Sequence, residues 1–87
     1  MTRTRKELYD LANNYYVNAI VELLQRDPSF SIYQVTYKKQ SYHFCIAKPG
    51  YEYTGNNQVF YFRNQSEKFA RNLCWKKLIE PALKQSE

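Results

Sequence analysis

The residues equipped for chemistry in this chain are few. The single histidine, His43, stands two positions from Cys45. In an extended segment such positions share a side, so an imidazole would lie beside a thiol. A working nucleophile needs a base that is itself oriented by a third group. No such set is present, and neither is a glycine-rich phosphate loop, an H-E-x-x-H helix, a Ser-His-Asp constellation or a pair of acids at a usable spacing. His43 and Cys45 therefore read as ordinary strand neighbours, and the chain is expected to be non-enzymatic. Cys45 and Cys74 are far apart and form no C-x-x-C pair. That pattern suits neither a zinc site nor a disulfide scaffold. Two reduced, buried thiols are expected, with no metal and no cofactor.

The charged residues say more. Lys and Arg number 13 against 8 Asp and Glu, a net charge of +5 and an isoelectric point near 9.3. Arg63, Lys68, Arg71, Lys76 and Lys77 gather around one stretch, Lys38 and Lys39 mark a short polar loop, and Arg3, Arg5 and Lys6 lie near the N-terminus. Such clusters suit a polyanion: nucleic acid first, an acidic protein partner second. Contacts from Lys38, Lys39, Lys68 and Arg71 to phosphates would give a log–log salt slope of roughly −3 to −4.

These residues must be positioned by regular elements. Thr4-Arg5-Lys6-Glu7 has the spacing of a capping box. Leu8, Leu11, Ala12, Tyr15, Ala19, Leu23 and Leu24 follow at three- and four-residue intervals. The pattern predicts one amphipathic helix to Arg26, stopped by Asp27-Pro28. Ser31–Lys38 and Tyr42–Lys48 alternate like strands, with Lys38-Lys39-Gln40-Ser41 as the hairpin turn between them. A long loop holding both glycines precedes a third strand, Gln58–Arg63. Asn64 or Ser66 then caps a second helix, which Pro81 should end or kink near Glu80. The expected architecture is α+β: α-β-β-β-α, with two helices on one face of a three-stranded antiparallel sheet.

On these residues the chain resembles the double-stranded RNA-binding domain family. The family pattern S-K-K-x-A-K at the second helix is matched by Ser66-Glu67-Lys68-Phe69-Ala70-Arg71, and the element order and length agree. The resemblance implies shape- and phosphate-based binding of structured RNA. Lys68 and Arg71 would hold phosphates, and Lys38 and Lys39 would reach from the hairpin; Arg63 joins the nucleic-acid-binding set through the basic cluster around the second helix. Asn13, Asn14 and Asn18 of the first helix would lie in a minor groove. Glu67 replaces the family's first lysine, and the hairpin lacks its G-P-x-H.

Those departures motivate a second reading on the same fold. Val59 and Tyr61 point to one side of the third strand, Phe60 and Phe62 to the other, and helices on one side of a sheet cannot cover both. An aromatic face involving Tyr42, Phe60 and Phe62 would then serve as a partner interface, in a protein-interaction module, a small inhibitor or a homodimer. Stacking of single-stranded bases on a tyrosine-rich face is a third option, without an RNP-type sequence to support it. The 87 residues accommodate one domain, 1–87. No apolar run reaches the ~18–20 residues of a membrane span, and Glu7 and Asp10 interrupt any signal-peptide core. A cytoplasmic location is expected, or a nuclear one in a eukaryote.

Overall fold

Thr4 opens the first helix, its Oγ1 accepting from the Glu7 backbone N–H at 3.1 Å. The structure, a computed structural model, describes residues 4–85, the side chain of Gln85 excepted. Arg3 of the N-terminal basic group lies outside the described residues. Helix α1 spans Arg5–Asn18 and is followed by four strands: β1 (Ile20–Arg26), β2 (Phe30–Tyr37), β3 (Gln40–Ala47) and β4 (Gln58–Tyr61). Helix α2 (Glu67–Cys74) leads through one π-helical turn (Trp75–Ile79) into α3 (Glu80–Gln85). The fold is α+β, with one four-stranded sheet in the order β1-β2-β3-β4. No helix among the described residues is long and apolar enough to cross a membrane.

The sheet departs from the three-stranded antiparallel meander in two ways. First, the predicted helix to Arg26 ends at Asn18, and Ile20–Arg26 is a strand. Ala19 and Leu23 fit a helical repeat, but Val21 and Leu23 equally fit a two-residue repeat. Half-buried Val21 and Leu23 alternate with exposed Ile20 and Glu22. The β-branched pair Ile20-Val21 favours the extended choice, and β2 gains a partner on its free edge, with Val21 opposite Val35 and Leu23 opposite Tyr33. A bulge at Leu24 shifts the register before Gln25. Asp27-Pro28 turns the chain into β2 instead of stopping a helix, and the Asp27 N–H donates to the Phe30 carbonyl at 2.8 Å.

Second, β4 runs parallel to β3, with Phe44 opposite Gln58 and Ile46 opposite Phe60. Segment 48–57 is a crossover, not a hairpin. Gly50, at φ +89°, takes the left-handed conformation that the Lys48–Tyr51 turn requires. Tyr51 and Tyr53 then pack on Phe30, with ring centroids 5.7 and 5.4 Å away. A Cβ at Gly55 would lie 2.0 Å from Tyr53 Oη, so only glycine leaves room for that ring. Phe30 faces away from the helices, because its neighbours Ser31, Tyr33, Val35 and Tyr37 fill the helix-facing side. The crossover therefore covers part of the second sheet face.

The core lies between the other face and the helices. Tyr15, Tyr33, Val35, Phe44 and Ile46 are fully buried there with Ala70 and Cys74. Tyr15 is the hub, its ring 5.3 Å from Tyr37 and 5.4 Å from Trp75. Its hydroxyl donates to the Arg71 carbonyl at 2.6 Å. Burial and the neighbouring Cys74 push the Tyr15 phenol far above its ordinary value. The α2 N-cap is Ser66, whose Oγ accepts from the Phe69 N–H at 3.1 Å. Pro81 neither ends nor sharply breaks the helical run. It has no N–H for the preceding turn, and the widened turn just before it, where the Glu80 N–H reaches back to the Trp75 carbonyl, absorbs the loss.

Candidate anion-binding cleft

Strands β1, β3 and β4 all run in one direction, since β2 is antiparallel to both of its neighbours and β4 parallel to β3. Their carboxyl ends therefore meet at one end of the sheet. A cation stands at each: Arg26 closes β1, Lys48 follows β3, and Arg63 follows β4. All three are exposed and line a cleft of about 670 Å³ with Asp27, Pro28, Gln65 and Ser66. Lys48 and Arg63 also line an adjoining hollow of about 320 Å³ beside Pro49. Asp27 is the one carboxylate in the main lining, and its Oδ2 accepts from Gln25 Nε2 at 2.9 Å.

Strand β2 holds Gln65, one of the lining residues of this cleft. Ser31, the buried polar residue of that strand, donates from Oγ to Gln65 Oε1 at 2.8 Å. The Tyr33 hydroxyl donates to the Gln65 carbonyl. These bonds fix Gln65 directly ahead of α2, yet its Nε2 is buried with no hydrogen-bond partner. An amide left so costs about 1–3 kcal/mol. Ser66 opens α2 at the same place, so the first-turn N–H groups and the positive end of the helix dipole add to the field. Glu67, exposed in that first turn, opposes them.

The residues singled out in the sequence separate into groups. Arg63 belongs to the cleft, and Lys68 is exposed in the adjacent first turn of α2. Arg71 does not: its Nη1 donates to the Ala19 carbonyl at 2.7 Å and the Tyr16 carbonyl at 3.3 Å. Helix α1 has no basic residue in its own last turn, and Arg71 supplies that charge from α2. Asn14 accepts from the Tyr37 hydroxyl through Oδ1, and its carbonyl accepts from Asn18 Nδ2 at 2.9 Å. Those two amides serve the fold, while Asn13 is exposed on α1.

Lys38 and Lys39 sit at the opposite end of the sheet. They are the two loop residues of the β2–β3 hairpin, between paired Tyr37 and Gln40. Both take positive φ, 51° and 66°, the geometry that two-residue hairpins demand and that Asn-Gly ordinarily fills. Lys38 Nζ lies 5.4 Å from the Tyr37 ring centroid. Seven steps along β2 at ~3.3 Å each put the hairpin tip about 23 Å from the cleft. Antiparallel pairing of the last strand would have returned the chain to the tip; parallel pairing delivers α2 and Lys68 to the other end.

The aromatic residues read as a partner interface are also distributed. Phe60 packs on Phe44, with centroids 6.1 Å apart, and Phe62 on Phe69 at 5.0 Å. Both are half-buried against the core. Tyr42 is half-buried, its hydroxyl donating to Gln40 Oε1 at 2.7 Å. The exposed large hydrophobic residues are others: Tyr9, Tyr16 and Val17 on α1, Ile20 and Leu24 on β1, and Tyr61 at the end of β4. Across the second sheet face, His43 Nε2 lies 2.7 Å from Gln34 Oε1, while Cys45 is fully buried and its thiol is pushed up to about 11 by burial. Arg26 and Lys48 were missed in the sequence. Their shared signal is a cation followed at once by a turn, as in Arg26-Asp27-Pro28 and Lys48-Pro49-Gly50.

No protein-family model, no curated protein and no solved structure matches this chain.

Proposed function

We propose that the protein is a non-enzymatic binder of structured RNA that anchors phosphates in the cleft at the strand ends. The carrying observation is the convergence of Arg26, Lys48 and Arg63 on one cleft beside the start of α2. Three accessible cations against one carboxylate favour a polyanion, and a guanidinium pair suits phosphate oxygens better than point charges alone. Lys68 adds to this end, and Lys38 and Lys39 provide a second contact about 23 Å away along the sheet. Two separated cationic points suit a ligand with regularly spaced charge. Readout by shape and backbone needs no side chain inside the deep major groove of an A-form helix.

A mobility shift with a ~20-bp RNA duplex, the matching DNA duplex and a single strand, at two salt concentrations, tests this reading. The expected result is preference for the RNA duplex, lost in Lys48→Ala/Arg63→Ala and retained in His43→Ala. Absence of binding to any of the three at low salt overturns it.

A second reading keeps the fold and changes the ligand: a protein-interaction module or homodimer. The exposed Ile20 and Leu24 on edge strand β1, next to Val17 of α1, favour it, since an open strand edge is a template for a further strand. A light-scattering mass of twice the chain, reduced to one chain by Leu24→Lys, would support that arrangement.

A further inference from the structure

A second cavity, about 210 Å³, opens at the hairpin end of the sheet, far from the cleft. Its walls are Leu11, Tyr37, Tyr42, Trp75, Ile79 and Leu83, and Lys38 and Gln40 stand at its polar side. We propose that this cavity receives one unpaired nucleobase of the bound RNA. The proposal rests on the RNA reading and deepens it: the preferred ligand becomes a duplex with an extruded nucleotide, not a perfect duplex.

Three observations carry it. The cavity is smaller than the ~300 Å³ at which pockets for drug-sized ligands begin, and its walls are aromatic and aliphatic, which selects a single flat ring. Two of those walls, Trp75 and Ile79, are the first and last residues of the π-helical turn ahead of Pro81, a distortion that is frequent at functional sites. The one charged residue in the cavity lining is positive: Lys38, with Lys39 next to it in the hairpin. A ring entering here should therefore be tethered to an anion, as a nucleobase is to its phosphate.

Unpaired, splayed bases are the usual targets of discriminating RNA binders, and stacking one on aromatic side chains is worth about 5- to 100-fold in affinity. Trp75 is the sole tryptophan of the chain, so its emission reports directly on this cavity. The test titrates the full chain with a ~20-bp RNA duplex, the same duplex bearing one bulged adenosine, and inorganic polyphosphate. The bulged RNA is expected to bind about 5- to 100-fold more tightly than the perfect duplex and to quench Trp75. Perfect duplex and polyphosphate should bind while leaving the emission nearly unchanged. Tyr42→Ala should abolish the advantage of the bulge and leave perfect-duplex affinity intact.

Equal quenching by all three ligands, or tighter binding of bulged RNA without quenching, overturns the base pocket and leaves the phosphate cleft standing. No binding of either RNA overturns both readings. Quenching by an acidic, tyrosine-bearing peptide but not by bulged RNA overturns the base and assigns the cavity to a protein partner.

Discussion

Replacing Arg71 with alanine should unfold this protein more easily without touching its grip on phosphate. The guanidinium donates to two carbonyls at the end of α1, at 2.7 and 3.3 Å, and Ala19, which offers the nearer one, is buried. Hydrogen bonds from a charged donor are worth about 1.5–3 kcal/mol net, and a cation at a helix carboxyl end adds roughly 0.3–1 kcal/mol. Some of this is lost to water at a half-buried site, which leaves about 2–3 kcal/mol. For a domain of this length each kcal/mol moves the melting temperature by roughly 4–8 °C, so a fall of about 10–20 °C is expected. A urea titration should show the midpoint lowered by about 1–2 M at an unchanged slope. Arg71→Lys should regain part of the loss, since it keeps the charge but not the fork. RNA affinity, measured well below the new melting point, should stay within about twofold of the parent, because Arg71 makes no phosphate contact in this reading. A variant that melts within a few degrees of the parent yet binds RNA tenfold more weakly would refute the reasoning and return Arg71 to the ligand.

The converse holds for Arg63, exposed in the cleft: Arg63→Ala should leave stability within about 0.5 kcal/mol and flatten the log–log salt slope by about one, as filter binding from low to moderate salt would show. Lys39→Gly should stabilise the fold by about 1 kcal/mol, because glycine takes positive φ without penalty; an unchanged denaturation midpoint would count against strain at the tip. Burial raises both thiols from 9 to about 11. The neutral form is thus favoured in the folded state, and the stability it contributes is complete below pH 9. It is lost progressively as pH rises from 9 through 11. Denaturation midpoints across that range should fall, and a thiol reagent at pH 7.5 should label neither cysteine until denaturant is added.

Part of this arrangement is legible in the chain itself. The capping box at Thr4, the Ser66 cap, the alternation through Tyr33, Val35 and Tyr37, and the two buried thiols are local signals, and local signals survive folding. Ile20–Arg26 was not legible, because Ala19, Leu23 and Leu24 satisfy a helical repeat as well as Val21 and Leu23 satisfy a strand. Only the pairing with β2 decides between them. The direction of β4 was hidden too. Nothing in Gln58–Tyr61 distinguishes parallel from antiparallel pairing, and the choice rests on the crossover packing Tyr51 and Tyr53 against Phe30. The candidate site inherited that ambiguity. Arg63 was found because it adjoins the second helix, whereas Arg26 and Lys48 come together only when three strands finish at the same end. Arg71 was read as a phosphate ligand from the resemblance at the second helix, and the tertiary fold gave it two carbonyls instead.

The two ends of the sheet differ in how freely they can be rebuilt. At the hairpin end, a two-residue turn locks Tyr37 to Gln40, and any insertion there would have to preserve the register of eight paired positions. At the other end, the Asp27–Ser29 turn, the start of the crossover and the link from β4 to α2 are three separate joints, each just beyond the last ladder contact of its strand. The exposed residues of those joints, Pro28, Pro49 and Asn64 among them, can be exchanged without moving a core side chain, whereas Phe62 and Gln65 of the last joint are held by the core. The cleft is thus the part of the molecule where a change of ligand demands the least from the rest of the fold, and where variants with new specificity should be easiest to obtain.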